Sequence, residues 1–276
     1  MKYMVAIAIL AALALFSSAA AATPYVSITE PHSLTVHNNG TVYIGRVGPG
    51  QTFYVTISSL TQSANGTLYE YGWNELYVSG TPNGWVTENS ALNTKYLSAQ
   101  ITPSASAANG TYSFNLTAIN TGNYSKLGSV TFKAYVNVTP DVFSINVSPT
   151  YLNVGPGQPA TIDVTINNTG VSDSPFDISM TGLSSWNLTE SVIALHGTQR
   201  RFTYTVNESV PGTYHTTLHV SSAQSPIISR EANITIATRS GIANDYIALG
   251  GGPVAFPIVY EPVYAVQYLI SLIFRH

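Results

Sequence analysis

The chain has 276 residues, no cysteine, and few charges: Asp, Glu, Lys and Arg make up 8% of it, and the net charge is −3. Typical soluble proteins contain about 25% of these four residues. The lack of cysteine excludes disulfides and cysteine-ligated metal sites, and the weakly acidic balance gives no basic patch for nucleic acid.

The N-terminus has the pattern of a secretory signal. Lys2 precedes an apolar run that ends at Phe16, and the alanines at 20–22 satisfy the small-residue rule for cleavage. A membrane helix is the alternative, but the apolar run of 13 residues is too short to cross about 30 Å of hydrocarbon. We therefore predict a signal peptide at 1–22 and an extracellular or cell-surface location.

The sequence after the signal contains the same landmarks twice. Val-Gly-Pro-Gly-Gln occurs at 47–51 and again at 154–158, and Gly-Thr-Tyr opens an alternating segment at 110–112 and again at 212–214. The two offsets are 107 and 102 residues. A repeat of this length indicates a duplicated domain, because solenoid repeats are only about 20–50 residues long.

A tryptophan also follows each copy of the first motif at a similar distance, Trp85 in the first and Trp186 in the second, with an offset of 101 residues. We predict that both lie at equivalent places and belong to the core. The predicted domains are 23–139 and 140–239, and a join as short as the one between them restricts pivoting.

Nearly every segment between the signal and residue 239 alternates apolar and polar residues with period two. Examples are 52–57, 130–138, 160–166, 202–206 and 232–236, all rich in Val, Ile, Thr, Tyr or Phe. Turn residues recur every 8 to 12 positions, which is typical of an antiparallel sandwich. The sequence therefore predicts an all-β protein with two tandem antiparallel β-sandwich domains. Extra residues in the first copy predict a longer hairpin around 66–80.

Five segments of the second copy carry a family resemblance: Val-Ser-Pro at 147–149, the turn at 154–158, Thr-Ile-Asn-Asn-Thr-Gly at 165–170, Gly-Leu-Ser-Ser-Trp at 182–186, and Pro-Gly-Thr-Tyr at 211–214. Over about 140–237 the sequence resembles the immunoglobulin-like CARDB-type domains (cell adhesion related domain found in bacteria) and the related NPCBM-associated domain. The first copy keeps three of the landmarks and lacks the Asn-Thr-Gly. The resemblance implies immunoglobulin-like sandwiches that act as spacer or adhesion modules on prokaryotic, archaeal-type surface proteins. It implies no catalytic residues.

Asn-X-Ser/Thr sequons are frequent, with eleven in the chain against roughly four expected from its Asn, Ser and Thr content. They are Asn39, Asn65, Asn109, Asn115, Asn123, Asn137, Asn146, Asn167, Asn187, Asn207 and Asn233. Strands rich in Asn and Thr also generate sequons without any glycan. Because the exported surface is poor in charge, we expect N-linked glycans to supply its hydrophilic cover.

Four aromatic residues, Tyr69, Tyr71, Trp73 and Tyr77, all occupy odd-numbered positions. One unbroken strand would place them on a single face over about 26 Å. Exposed, this stripe would be a platform for sugar rings or another partner, whereas buried it would be sandwich core. Burial is favoured, because aromatic residues dominate cores.

Two histidines, His215 and His219, have the spacing of a metal pair on a helix but lie in a predicted strand. Four residues along a strand span about 13 Å, which is too far for one ion. We predict surface histidines and no metal role.

Two acidic pairs are also weak candidates for chemistry. Asp173 and Asp177 follow an Asn-Thr-Gly turn and could contribute to a calcium site, although turn capping is the favoured interpretation. Glu70 and Glu75 could be the carboxylates of a glycosidase, but their odd spacing puts them on opposite faces of a strand. The sequence predicts no enzyme and no other cofactor.

The C-terminal segment 240–276 differs from the rest. From Tyr246 to Phe274 its one charged residue is Glu261. A helix starting at Pro262 would be about 20 Å long, short of a membrane span. We predict an attachment segment, with a membrane anchor as the leading interpretation. The rival interpretations are an arm that docks into a neighbouring subunit and a tail folded onto its own domains.

These observations together predict an exported, N-glycosylated structural or adhesion protein of the cell surface. One alternative is a carbohydrate-binding surface module, and another is a subunit of an extracellular filament or surface layer. The expected partners are other envelope proteins or further copies of the chain itself, glycans, and the membrane through the C-terminal segment.

Overall fold

The computed structural model of the protein describes residues 24–62, 67–122, 127–183 and 189–239. All regular secondary structure in these ranges is β-strand, so the prediction of an all-β sandwich fold is confirmed. Within the same ranges, no helix is long and apolar enough to cross a membrane. The predicted signal peptide and C-terminal attachment segment lie outside the described residues.

The first sandwich contains eleven strands in its described residues. They are β1 (Tyr25–Glu30), β2 (Leu34–His37), β3 (Thr41–Val47), β4 (Phe53–Ser58), β5 (Thr61–Gln62), β6 (Leu68–Tyr69), β7 (Glu75–Ser79), β8 (Val86–Glu88), β9 (Tyr96–Thr102), β10 (Gly110–Ile119) and β11 (Ser129–Val138). One sheet has the order β2-β1-β4-β9-β8 and the other has the order β3-β11-β10-β7, while β5 and β6 form a small ribbon.

The second sandwich contains eight strands in its described residues. They are β12 (Phe143–Ser148), β13 (Tyr151–Val154), β14 (Pro159–Asn168), β15 (Ser174–Thr181), β16 (Glu190–Ala194), β17 (Gln199–Asn207), β18 (Gly212–Ser222) and β19 (Ser225–Thr238). One sheet has the order β12-β14-β17, and the other has the order β13-β19-β18-β15-β16.

The two sandwiches share a seven-strand pattern. The order β1-β4-β9 in the first matches β12-β14-β17 in the second, and β3-β11-β10-β7 matches β13-β19-β18-β15. In each sandwich one pair is parallel, β3 with β11 and β13 with β19, and the other pairs are antiparallel. The common strand order supports the duplication that the repeated landmarks indicate.

The copies differ at their edges. Strand β8 pairs with β9 in the first sandwich, whereas β16 pairs with β15 in the second. The first sandwich also has β2 and the β5–β6 ribbon, which have no counterpart among the described strands of the second. The single longer hairpin predicted around 66–80 is therefore wrong. The extra residues form the ribbon and an irregular stretch that carries Trp73 into the core.

Period-two alternation produces the two cores. Along β14 the side chains of Ala160, Ile162, Val164 and Ile166 are buried, and the residues between them are not. Aromatic pairs lie in each core: Phe53 with Phe114 at 6.3 Å between ring centroids, and Phe143 with Phe176 at 4.6 Å. The apolar residues thus form two clusters, one for each sandwich.

A tyrosine contact is repeated in both copies. The hydroxyl of Tyr112 donates to the Ala108 carbonyl (2.9 Å), and the hydroxyl of Tyr214 donates to the Val210 carbonyl (2.8 Å). Immunoglobulin-like sandwiches use such a tyrosine to fix the approach to an inner strand. Trp85 packs on Tyr112 at 5.5 Å between ring centroids and contacts the first core. Trp186 lies outside the described residues.

Candidate interaction site at the junction of the two sandwiches

The Val-Gly-Pro-Gly-Gln turn of the first sandwich follows β3 and is closed by its glutamine. The Gln51 N–H donates to the Gly48 carbonyl (3.1 Å), and Gln51 Oε1 accepts from the Gly48 N–H (2.9 Å). Gly50 has a φ of 76°, in the left-handed region that favours glycine. Proline and glycine suit such a tight turn, and the turn fixes the direction of the Gln51 side chain.

The Gln51 side chain crosses into the second sandwich. Its Nε2 donates to the hydroxyl oxygens of Ser174 (2.9 Å) and Ser222 (3.2 Å), and all three residues are buried. A small rotation of one sandwich relative to the other would break these bonds while the three side chains are still buried. Water could then not replace the lost bonds. Buried polar groups that lose their partners are costly, so these bonds resist rotation.

Close backbone packing also holds the junction together. Val171 of the second sandwich belongs to the apolar cluster of the first, and its N–H donates to the Arg46 carbonyl (2.8 Å). A Cβ atom on Gly45 would lie 2.5 Å from Val171 Cγ1, and one on Gly48 would lie 2.0 Å from Ile228 Cδ1. Glycine is needed at both positions because the partner sandwich occupies the space of a side chain.

Polar contacts continue around the junction. The Ser172 hydroxyl donates to the Thr52 carbonyl (2.5 Å), and Arg230 of the second sandwich pairs with Asp141 of the join (2.7 Å). The same guanidinium lies 5.3 Å from the centroid of the Phe143 ring. The short join predicted restricted pivoting, and these contacts give that restriction a physical basis.

A cleft of about 520 Å³ lies at one side of the junction. Both sandwiches line it, with Pro31, His32, Tyr43, Gly45 and Arg46 from the first and Thr169, Gly170, Val171, His196 and Gly197 from the second. The cleft combines the exposed ring of Tyr43 with the side chains of His32, Arg46 and His196, which can donate hydrogen bonds. Sequence reasoning missed it, because its residues come from segments far apart in the chain and share no motif.

One wall of the cleft is held by hydrogen bonds between Asp173 and His196. The Asp173 carboxylate accepts from the His196 N–H (2.7 Å) and lies 2.7 Å from His196 Nδ1. Glu30 and Tyr54 lie beside this pair in a smaller adjoining pocket. The arrangement can bind a polar ligand through hydrogen bonds and a ring contact.

The four aromatic residues predicted as a stripe do not share one face. The chain turns between Tyr69 in β6 and Tyr77 in β7, so no unbroken strand connects them. Trp73 is fully buried, and its Nε1 donates to the Tyr25 carbonyl (3.1 Å). Tyr69 packs against the first core, whereas Tyr71 and Tyr77 are exposed. A continuous aromatic platform is therefore excluded. Of the four residues, Trp73 alone is fully buried, as the sequence favoured.

Eight of the eleven sequon asparagines lie in the described residues, and none of the eight is buried. Asn39, Asn109, Asn146, Asn207 and Asn233 are exposed, while Asn115, Asn137 and Asn167 are half-buried. Six of them alternate with apolar residues and are more exposed than both of their neighbours in the chain, so they point away from the core: Asn115, Asn137, Asn146, Asn167, Asn207 and Asn233. The other three, Asn65, Asn123 and Asn187, lie outside the described residues. Glycan attachment stays a prediction.

The two strand histidines lie on the outer face of β18, as the alternation predicts. His219 Nδ1 lies 3.3 Å from a carboxylate oxygen of Glu231, and His215 Nδ1 lies 3.4 Å from the Thr235 hydroxyl. Among the described residues, no three His, Cys, Asp or Glu side chains form a cluster that could hold a metal ion.

The two acidic pairs also remain apart. Asp173 bonds to His196 as described above, and Asp177 accepts a hydrogen bond from the Ser191 hydroxyl across the β15–β16 pair. Glu70 lies in the turn after β6, and Glu75 opens β7. Asp173 thus ties its own loop to the loop at His196.

Comparison with known proteins gives no family. No family model matches the sequence, and no curated protein matches it. The similar solved structures include a β-glucosidase from Listeria innocua in complex with glucose, with 15% identity, a TM-score of 0.26, and coverage of 36% of this chain and 16% of that chain.

Two further structures have equally low similarity. The adhesin InvE from Yersinia pseudotuberculosis has 14% identity and a TM-score of 0.28, with 69% of this chain and 56% of that chain covered. PapD-like domain 7 of human CEP192 has 10% identity and a TM-score of 0.25, with 37% and 88% covered. The chain thus spans 16% of the β-glucosidase and 56% of InvE. With every one of these TM-scores below 0.5, the likenesses carry no argument about function.

Proposed function

We propose that the protein is a stiff, glycan-bearing structural or adhesion element of a prokaryotic cell surface. The buried Gln51 bridge across the junction carries this proposal. A spacer must keep its far end at a fixed distance and direction, and a bridge of buried hydrogen bonds opposes bending at the one join between the sandwiches.

Three sequence features support the proposed setting. The apolar N-terminal run and the alanines at 20–22 fit export, and the second copy resembles CARDB-type spacer domains. The sequons on described strands occupy outward positions, where attached glycans would not disturb the core. The proposal is of a non-enzymatic protein whose partners are other envelope components or further copies of the chain.

Stiffness is tested by ¹⁵N relaxation of the isotope-labelled full chain. A rigid junction gives one rotational tensor that fits the amides of both sandwiches. Separate tensors for residues 25–138 and 143–238 would contradict the proposal, because they would mean independent motion about the join.

The cell-surface setting is tested in the host. Proteolysis of intact cells should digest the protein, and intact-mass measurement should give a mass above that of the bare mature chain. Protection until lysis would refute the location. A mass equal to the bare chain would refute the glycan coat.

Carbohydrate binding is the second candidate, now centred on the junction cleft. Tyr43 is 55% exposed at its edge and Tyr54 is 49% exposed beside it, near Arg46 and His196. Exposed tyrosine rings stack on sugar rings while neighbouring polar groups bond to the hydroxyls. Binding to a glycan array should be measured for the unmodified chain, for Tyr43→Ala, and for Tyr77→Ala as the matched exposed control. We expect Tyr43→Ala alone to lose binding. Equal signals from both variants and the unmodified chain would exclude the cleft.

A further inference from the structure

We propose that the second Val-Gly-Pro-Gly-Gln turn, at 154–158, is also a docking surface, and that it is occupied by the segment of this chain that follows Arg239. The first turn holds the second sandwich in place. The second turn stands at the corresponding end of the second sandwich, where the described chain continues towards residues 240–276. Attachment of this segment within its own chain is a role beyond that of a spacer.

The two turns have the same internal geometry. Gln158 Oε1 accepts from the Gly155 N–H (2.8 Å), and the Gln158 N–H donates to the Gly155 carbonyl (3.0 Å). Gly157 has a φ of 75°, compared with 76° for Gly50 in the first turn. The second glutamine is therefore fixed in the direction in which Gln51 crosses the junction.

The turns are also anchored to their sandwiches in the same way. The Gly157 N–H donates to the Glu208 carbonyl (2.9 Å), as the Gly50 N–H donates to the Pro103 carbonyl (3.2 Å). The backbone hydrogen bonds of the two copies thus correspond outside the turns as well. Each turn thus presents the same face at the end of its sandwich.

The chain leaves both sandwiches at the same place. The Thr139 N–H donates to the Val47 carbonyl (2.9 Å), and the Arg239 N–H donates to the Val154 carbonyl (3.0 Å). Three residues beyond Thr139 the chain places Val142, which is buried at the junction. Three residues beyond Arg239 the sequence again has a β-branched apolar residue, Ile242. The described chain therefore ends beside the second turn, and the sequence after it has an apolar residue at the spacing of Val142.

Two described residues favour a covering segment at this end. Gly155 is buried, as Gly48 is under the second sandwich. The hydroxyl of Thr238 is buried and has no hydrogen-bond partner in the described part of the chain. The equivalent residue of the first sandwich is Val138, which pairs with Gly110 as Thr238 pairs with Gly212. A buried hydroxyl in place of valine requires a polar partner.

A second copy of the chain fits this turn less well. Gln51 docks on two serine hydroxyls, at the start of β15 and the end of β18. At the positions that the strand register matches to these serines, the first sandwich has Gly72 and Asn120, and the Asn120 side-chain amide donates to the Gly72 carbonyl. The serine pair that receives the glutamine is replaced there by a closed contact, which favours the same-chain segment.

Hydrogen exchange of the full chain tests the proposal, with Gln158→Glu as the main variant. Glutamate keeps an oxygen for the Gly155 N–H but replaces the donating amide by an acceptor. Exchange in residues 240–250 and in the turn 155–158 should become about tenfold faster, since docking bonds are lost. The turn 48–51 is the internal control and should not change. Gln51→Glu, the matched variant, should show the reverse pattern.

Gly155→Ala is a second variant in case Gln158→Glu disturbs folding, and it should expose 240–250 while adding only a methyl group. Three results would overturn the proposal. They are unprotected exchange at 240–250 in the unmodified chain, no change in that segment in either variant, or protection that depends on protein concentration. The last result would assign the turn to a second copy.

Discussion

Replacing Gln51 by alanine removes the bridge between the sandwiches and takes one hydrogen bond from each of three buried groups: the Gly48 N–H and the hydroxyls of Ser174 and Ser222. Each buried group that loses a bond costs about 1–3 kcal/mol, and water entering the space of the side chain recovers part of this. We expect the free energy of unfolding to fall by about 2–4 kcal/mol.

Urea unfolding followed by far-UV circular dichroism measures this loss, and a double-mutant cycle with Ser174→Ala isolates the bond across the junction. The coupling between the two substitutions should be about 1 kcal/mol, because residues joined by a buried hydrogen bond are not additive. Tyr43→Ala, an exposed change in the same sandwich, is the control. A coupling near zero would refute the claim that Gln51 holds the sandwiches together.

Three further predictions concern single side chains. Trp73→Ala should lower the free energy of unfolding by about 3–5 kcal/mol in urea denaturation, because Trp73 is fully buried; a loss below 1 kcal/mol would contradict its core position. Hydrogen bonds from Arg201 and then Thr203 hold the pKa of Asp163 below its ordinary value, so the stability from this carboxylate is present above its unfolded pKa and lost as pH falls through the folded one. Arg201→Gln should therefore raise the Asp163 pKa in an NMR titration, and an unchanged pKa would exclude the pairing. Burial raises the pKa of Tyr204, with Glu190 adding to the rise. The stability that the neutral Tyr204 contributes is thus complete below the ordinary tyrosine pKa and is lost as pH rises through the raised pKa. Alkaline denaturation should therefore show a smaller loss of stability in Tyr204→Phe than in the unmodified chain.

Local sequence was sufficient for the strands and the turns. Alternation along segments such as 160–166 predicts strands because one face must be buried, and glycine with proline predicts the turn at 47–51 because their backbone dihedrals suit it. The repeated landmarks likewise indicated two similar units, and their shared strand order agrees with this.

The aromatic stripe shows where local pattern failed. Parity places Tyr69, Trp73 and Tyr77 on one face only if the strand is unbroken, and a turn in the chain separates Tyr69 from Tyr77. Whether a strand continues or turns depends on the partners available in the sheets, which the residues themselves do not encode.

The junction was decided by tertiary structure. The sequence by itself determined that Gln51 ends a turn, that the join is short, and that the chain forms two β units. Only the packing of one sandwich on the other brought Gln51 to Ser174 and Ser222, 123 and 171 residues later in the chain. Contacts of such separation arise from the docking of completed sheets, and no periodicity of the sequence records them. The cleft between His32 and His196 could not be predicted from the sequence for the same reason. Its walls belong to different sandwiches and meet only when the sandwiches dock.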